Sequence, residues 1–293
     1  MPVVAFKEVN FRPDSLSRIE QCNEIITDYL GQGLRLTLRQ LYYQLVTKNV
    51  IKNEEKSYKK LSSLVSEARL AGLMDWDAIE DRVRVPRLQQ EFDNLTDLTE
   101  TALRAYRLPR WDGQRAYAEL WVEKDALAGV LTPMASKYHV TMMVNRGYSS
   151  QSAMYESAQR FLEKAADKDE CFIFYLGDHD PSGEDMVRDI RDRMELFGVG
   201  NLRVDKVALT MDQIILYNPP PNPAKTTDPR AGDYIAKHGD ESWEVDALPP
   251  NVLQKIIEDS VLDVLDLKLM DQVKRREESD KKKLQKAVEK IDG

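Results

Sequence analysis

Two hydrophobic rhythms divide the chain. Up to about residue 87, apolar positions recur every three or four residues. Leu16, Ile19, Ile25, Ile26 and Tyr29 form one set, Leu38, Leu41, Tyr42 and Leu45 a second, and Tyr58, Leu61, Leu64, Val65 and Ala68 a third. That period predicts three amphipathic helices sharing one core. Gly31 and Gly33 end the first, Thr37 caps the second, and Gly72 closes the third. The short, punctuated stretch LMDWDAIEDRVRVP, Leu73 to Pro86, reads as a β-wing or a small added helix. Three helices and a wing predict a winged helix-turn-helix domain over 1–87.

Residues 88–116 predict one helix, from about Glu91 to Tyr106, and then a linker, RLPRWDGQR. From 117 the rhythm changes. YAELWV, HVTMMV, CFIFYL and LRVDKVAL are short, apolar and rich in strand formers. Between them lie the helical segments DALAGVLTPMASKY, SQSAMYESAQRFLEKA and GEDMVRDIRDRMELF. Alternation of this kind predicts an α/β fold with a mostly parallel sheet and helices on both faces. Pro219 to Pro223 mark a loop, and the chain after Trp243 reads as helical to its end. The charged run KRREESDKKKLQK is expected to be a solvated helix face. The third domain is therefore 117–293, an α/β unit with C-terminal helices.

Composition narrows the class. The 293 residues are 42% hydrophobic and 31% charged, which suits a globular chain, and no apolar run is long enough to span a membrane. The opening MPVVAFKEVNF lacks the pattern of a signal peptide, and the two cysteines lie far apart. A cytoplasmic protein with reduced thiols is expected, nucleoid-associated if bacterial or phage. Three histidines without paired spacing argue against a zinc site. The net charge of −8 argues against indiscriminate binding to nucleic acid. Yet Arg35 to Arg69 holds eight Lys or Arg against three Glu, a local balance of +5.

Carboxylates stand where an α/β sheet presents its ligands, beyond the carboxyl ends of the strands. Glu123 follows the strand of LWVEKD, and Asp178 and Asp180 follow that of FIFYLGDHDPSG. In extended chain the two aspartates face the same way. Gly177 and Pro181-Ser182-Gly183 let the backbone turn behind them. Three converging acids repel unless a cation sits among them. Oxygen ligands with no His or Cys suit Mg²⁺, or Mn²⁺, and phosphate chemistry. The plainer alternative has Asp178 capping the next helix and Asp180 serving the turn.

At these residues a family resemblance becomes specific. LWVEK, followed about 55 positions later by FYLGDHDPSG, resembles the Toprim domain of topoisomerases, primases and some nucleases. TLRQLYYQL resembles the R-x-x-[FY]-Y motif of the topoisomerase VI A subunit and its meiotic double-strand-break relatives. VNRGYSS resembles their G-Y-P segment, with Ser149 in place of proline, and WEVDAL their E-x-x-A-L segment. The resemblance implies a Toprim-like sheet and a homodimer on double-stranded DNA, with Glu123, Asp178 and Asp180 as metal and acid–base carboxylates. It also implies Glu244 near the site and a nucleophilic tyrosine at Tyr43, which works against the partner's metal. Nothing in the chain resembles an ATPase, so strand passage requires a separate ATPase subunit.

The helical wheel bears on Tyr43. At about 100° per residue from Leu38, Leu41, Tyr42 and Leu45 fall on one stripe. Tyr43 falls at about 140°, beside Arg39 at about 100°. Tyr42 is therefore expected inside and Tyr43 outside, near an arginine that favours phenolate and holds phosphate. Val46 offers Tyr43 a partial second apolar face, so a packing role stands as the alternative. Lys56, Lys59, Lys60 and Ser63 lie off the apolar stripe near the start of the third helix, where a recognition helix meets DNA. A solvated face is the alternative there. Three functions follow: a Mg²⁺-dependent DNA-cleaving transesterase through Tyr43, a hydrolytic Toprim nuclease in which Tyr43 is structural, and a non-catalytic DNA-binding protein.

Overall fold

A computed structural model describes residues 3–79, 91–145 and 147–288. Helices α1 (Pro13–Gly31), α2 (Leu38–Thr47) and α3 (Glu55–Leu70) pack around Ile19, Cys22, Leu41, Leu45, Leu61 and Val65. Thr37 caps α2 in a reciprocal capping box with Gln40. The expected wing extends over residues 80–86, which lie outside the described residues. Just before them, Ile79 bridges to Leu36 in parallel.

Helix α4 (Leu95–Ala105) is shorter than expected because Asn94 caps it, accepting from the Asp97 N–H. It lies against the last helix. The stretch that follows is not a slack linker. Trp111 is buried, with its indole N–H donating to the Tyr138 carbonyl at 3.1 Å, and Arg110 forks onto Glu277.

The α/β unit begins with β1 (Ala116–Val122), α5 (Ala128–Tyr138), β2 (Thr141–Val144), α6 (Gln151–Lys164), β3 (Glu170–Leu176), α7 (Pro181–Leu196) and β4 (Leu202–Ala208). All four strands pair in parallel, in the order β2-β1-β3-β4. The pleat divides the core in two. Leu120, Val122, Phe172, Phe174 and Leu176 face α5 and the C-terminal helices. Tyr117, Trp121, Ile173 and Tyr175 face α6 and α7. Both faces are covered, which is why these strands read as continuous apolar runs rather than alternating ones.

Beyond the sheet, α8 (Met211–Tyr217) precedes β5 (Asn222–Pro223), α9 (Ala231–His238) and β6 (Glu241–Ser242), and β5 and β6 pair antiparallel. Trp243 then bridges to His179, bringing residues 244–248 to the end of β3. Helices α10 (Pro250–Leu262) and α11 (Leu267–Val288) complete the chain. The charged face expected on α11 is not wholly solvated, since Glu277 is buried and paired with Arg110 and Lys281. No helix among the described residues is long and apolar enough to cross a membrane.

Candidate active site

The ends of β1 and β3 stay in register. Val122 pairs with Leu176, and the Glu123 N–H donates to the Leu176 carbonyl at 2.9 Å. Glu123 then lies across from the turn after β3, and its Oε2 accepts the Asp178 N–H at 2.9 Å and the Tyr175 hydroxyl at 3.4 Å. Gly177 allows that arrangement, because a Cβ there would overlap the Tyr175 ring. Gly183 likewise has no room for a Cβ against the Asp178 carbonyl.

Each of the three predicted carboxylates is held by one oxygen. Asp178 Oδ1 accepts the Val245 N–H at 2.9 Å and lies 2.8 Å from Lys124 Nζ. Asp180 Oδ1 accepts the Gly183 N–H at 2.7 Å and the Ser182 hydroxyl at 2.9 Å. Asp180, not Asp178, is thus the cap of α7, with Pro181 as its first residue. The second oxygens, Glu123 Oε1, Asp178 Oδ2 and Asp180 Oδ2, accept no hydrogen bond from the described residues. Asp180 Oδ2 has Lys225 at 3.9 Å. This oxygen-only set, with one free atom on each buried or half-buried acid, fits a hard divalent ion such as Mg²⁺. The free oxygens are not already gathered into a cage. Among the described residues, one set of three His, Cys, Asp or Glu has its ligand atoms all within 4.8 Å of each other, and that set is His179, Glu184 and His238. The histidine spacing argued against such a cluster; the fold makes it by folding α9 back onto the end of β3.

Glu244, expected near the site, is in it, with two partners that the motifs did not single out. Lys124 Nζ contacts Glu244 Oε2 at 3.0 Å and Asp246 Oδ1 at 3.2 Å, in addition to Asp178. Arg39 reaches Glu244 at 3.3 Å and Asp246 Oδ2 at 3.7 Å. Glu244 and Arg39 also lie close enough to the Tyr43 phenol to act on its charge. A continuous chain of contacts therefore runs from Arg39 on α2, one turn from Tyr43, through Glu244 and Lys124, to Asp178.

Tyr43 is not on an outer surface. It is 4% exposed, and its ring packs edge-on against Tyr42 at 5.3 Å. The wheel placed it outside because it registers only the core of the three-helix unit. Residues 245–247 cover the other side of α2, and Ala247 joins the same apolar cluster. A cleft lined by Arg39, Tyr43, Asn53, Glu55, Tyr58 and Asn222 opens beside the tyrosine. Lys56, Lys59, Lys60 and Ser63 are exposed on α3, with Lys59 paired to Glu55 at 2.7 Å. Lys59, Lys60 and Ser63 line a second groove with Arg12, Arg18 and Lys52.

Titration follows from burial and pairing. Burial, then the neighbouring Asp178, pushes Glu123 upward. Burial raises Asp246 to about 6, against the pull of Lys124. Glu244 is pushed up by burial, but Lys124 and Arg39 outweigh it and hold it below its ordinary value. The Tyr43 phenol is raised by burial and by Asp246 and Glu244, and Arg39 offsets this only in part. The arginine does not by itself make phenolate here.

No protein-family model matches the chain, and no characterised protein matches it.

Proposed function

We propose that this chain cleaves double-stranded DNA by transesterification, with Tyr43 as nucleophile and a Mg²⁺-binding carboxylate set at Glu123, Asp178 and Asp180. The observation that carries this reading is convergence. Four segments centred on Tyr43, Glu123, Asp178 and Glu244 stand far apart in sequence, yet one contact network joins them. The resemblance to the topoisomerase VI A subunit rests on these segments together with VNRGYSS, which lies outside the network.

The residues divide the work. Tyr43 lies near Glu244, a carboxylate kept charged by Lys124 and Arg39. As the phenol oxygen attacks phosphorus, its proton passes to Glu244. The new bond joins phosphorus to Tyr43, the bond to a deoxyribose oxygen breaks, and that oxygen takes a proton from solvent. Arg39, half-exposed at the cleft, meets the phosphate, and Lys124 holds Asp178 and Glu244 in place. Mg²⁺ or Mn²⁺ bound at the three acids supplies positive charge for the phosphoryl oxygens. Lys56, Lys59, Lys60 and Ser63 hold the duplex by its backbone. In the family the chain resembles, the tyrosine works on the partner's metal. Here Arg39, one turn from Tyr43, pairs with its own chain's Glu244, so the proposed site is built within one subunit, and a homodimer on DNA supplies the second cut.

The burial and raised phenol of Tyr43 favour a second reading, hydrolysis at the same carboxylates with Tyr43 in a packing role. Supercoiled DNA incubated with Mg²⁺ and quenched with detergent separates the two. The transesterase yields protein-linked ends that disappear in Tyr43→Phe, and Glu123→Gln lowers cleavage at least about 100-fold, the scale of losing one electrostatic element of a site. Free ends that persist in Tyr43→Phe establish hydrolysis. Binding without cleavage by the wild type rejects both.

A further inference from the structure

On the other side of the β3 turn, His179 points its ring at α9. Its Nδ1 lies 2.8 Å from the Tyr234 hydroxyl. That hydroxyl has one proton and two carbonyl acceptors within reach, His179 at 2.9 Å and Glu241 at 3.0 Å. With its proton committed to a carbonyl, the phenol oxygen accepts from Nδ1–H. The neutral imidazole is then the Nδ1–H tautomer, and the Nε2 lone pair faces outward from the Tyr234 contact. What it faces is a carboxylate, Glu184 Oε1 at 3.7 Å, and a second imidazole, His238, whose ring stands edge-on with centroids 4.7 Å apart. A lone pair aimed at an anion and at another nitrogen base calls for a cation between them. A buried tyrosine that fixes one ring nitrogen so that the other is free is the outer partner that metal-binding histidines commonly have. Lys206 Nζ pairs with the same Glu184 Oε1 at 2.5 Å.

We propose that His179, Glu184 and His238 form a second metal site, for a Zn²⁺-type ion, distinct from the oxygen-only set at Glu123, Asp178 and Asp180. Two imidazoles and one carboxylate are ligands that Zn²⁺ takes with an open fourth position, whereas Mg²⁺ avoids nitrogen. The ligand atoms already lie within 4.8 Å of one another, a modest closure from the spacing of a bound set. The three ligands come from the β3 turn, the first turn of α7 and the last turn of α9. An ion here pins α9 to the turn that carries Asp178 and Asp180, one residue to either side of His179. This goes beyond the DNA-cleavage reading and does not depend on it.

The test is metal binding by the full chain after chelator treatment, in millimolar Mg²⁺ so that the oxygen-only acids are engaged. Co²⁺ is the spectroscopic probe and Zn²⁺ the competitor. The wild type is expected to bind one equivalent, with tetrahedral Co²⁺ absorption that Zn²⁺ abolishes. His238→Ala and Glu184→Gln each weaken binding at least about tenfold, and Asp180→Asn leaves it unchanged. Circular dichroism confirms that each variant is folded, and a variant that does not fold leaves the other to decide. No stoichiometric binding by the wild type, or undiminished binding in the folded variants, overturns the assignment. Because cleavage is not read, either result leaves the role of Tyr43 to its own assay.

Discussion

Glu119 and Glu123 stand four residues apart on the same face of β1 and its extension, and they are treated in opposite ways. Glu119 is fully buried and saturated. Arg160 grips both its oxygens at 2.6 and 2.8 Å, the Tyr117 hydroxyl donates at 2.8 Å, and the Trp121 indole at 2.9 Å. Glu123 accepts on Oε2 alone, from one backbone N–H and a long contact to Tyr175. The first arrangement is what a buried charge needs to be tolerated. The second leaves binding capacity at the sheet edge and raises the acid's own pKa through burial and Asp178. The buried Glu119 has donors on both oxygens, and Glu123 has one oxygen to spare.

The largest effect is expected at Glu119. Glu119→Ala strands Arg160, and urea unfolding should show a loss of about 3–5 kcal/mol. Glu123→Gln should fall within about 1 kcal/mol of wild type, because burial already opposes its charge. Equal losses at both sites would erase the distinction.

Asp246 gives the next effect. It is buried among Lys124 and Arg39 with one oxygen lacking a hydrogen bond, and its pKa is raised from 3.8 to about 6. Between those values the folded chain holds a proton that the unfolded chain has released. Stability contributed by this group is therefore present below pH 4 and lost as pH rises to about 6. Relative to Asp246→Asn, the wild type should lose up to about 3 kcal/mol across that window and then run parallel. A constant difference from pH 4 to 7 would contradict the assignment.

Asp180 gives the smallest effect and separates its two roles. Asp180→Ala removes the α7 cap and should cost about 1 kcal/mol in thermal unfolding, while Asp180→Asn keeps most of it. If both abolish cleavage alike, the acid is needed for more than the cap.

The strands and their order along the chain were legible because doubly buried strands write continuous apolar runs, and the carboxylates stood out at their ends. The capping box of α2 was half-visible in Thr37. What escaped depends on distant pairing. Tyr43 looked outward because its second wall, residues 245–247, is about 200 positions away. Lys124 and Asp246 sat inside quoted motifs, next to Glu123 and two residues after Glu244. A buried lysine is a natural partner for converging acids, and that was the signal available. His179 and His238 are joined only by the return of α9, and Glu277 hid in a charged run because its partner, Arg110, lies in what reads as a linker.

A bond from Tyr43 to DNA leaves a mark that peptide mapping reads. Wild-type protein is incubated with supercoiled DNA and Mg²⁺, quenched with detergent, and digested with nuclease and then trypsin. The Gln40–Lys48 peptide is then fragmented in a mass spectrometer. A deoxynucleotide phosphate is expected on Tyr43 and none on Tyr42. Cleaved DNA alongside an unmodified Gln40–Lys48 peptide would contradict it.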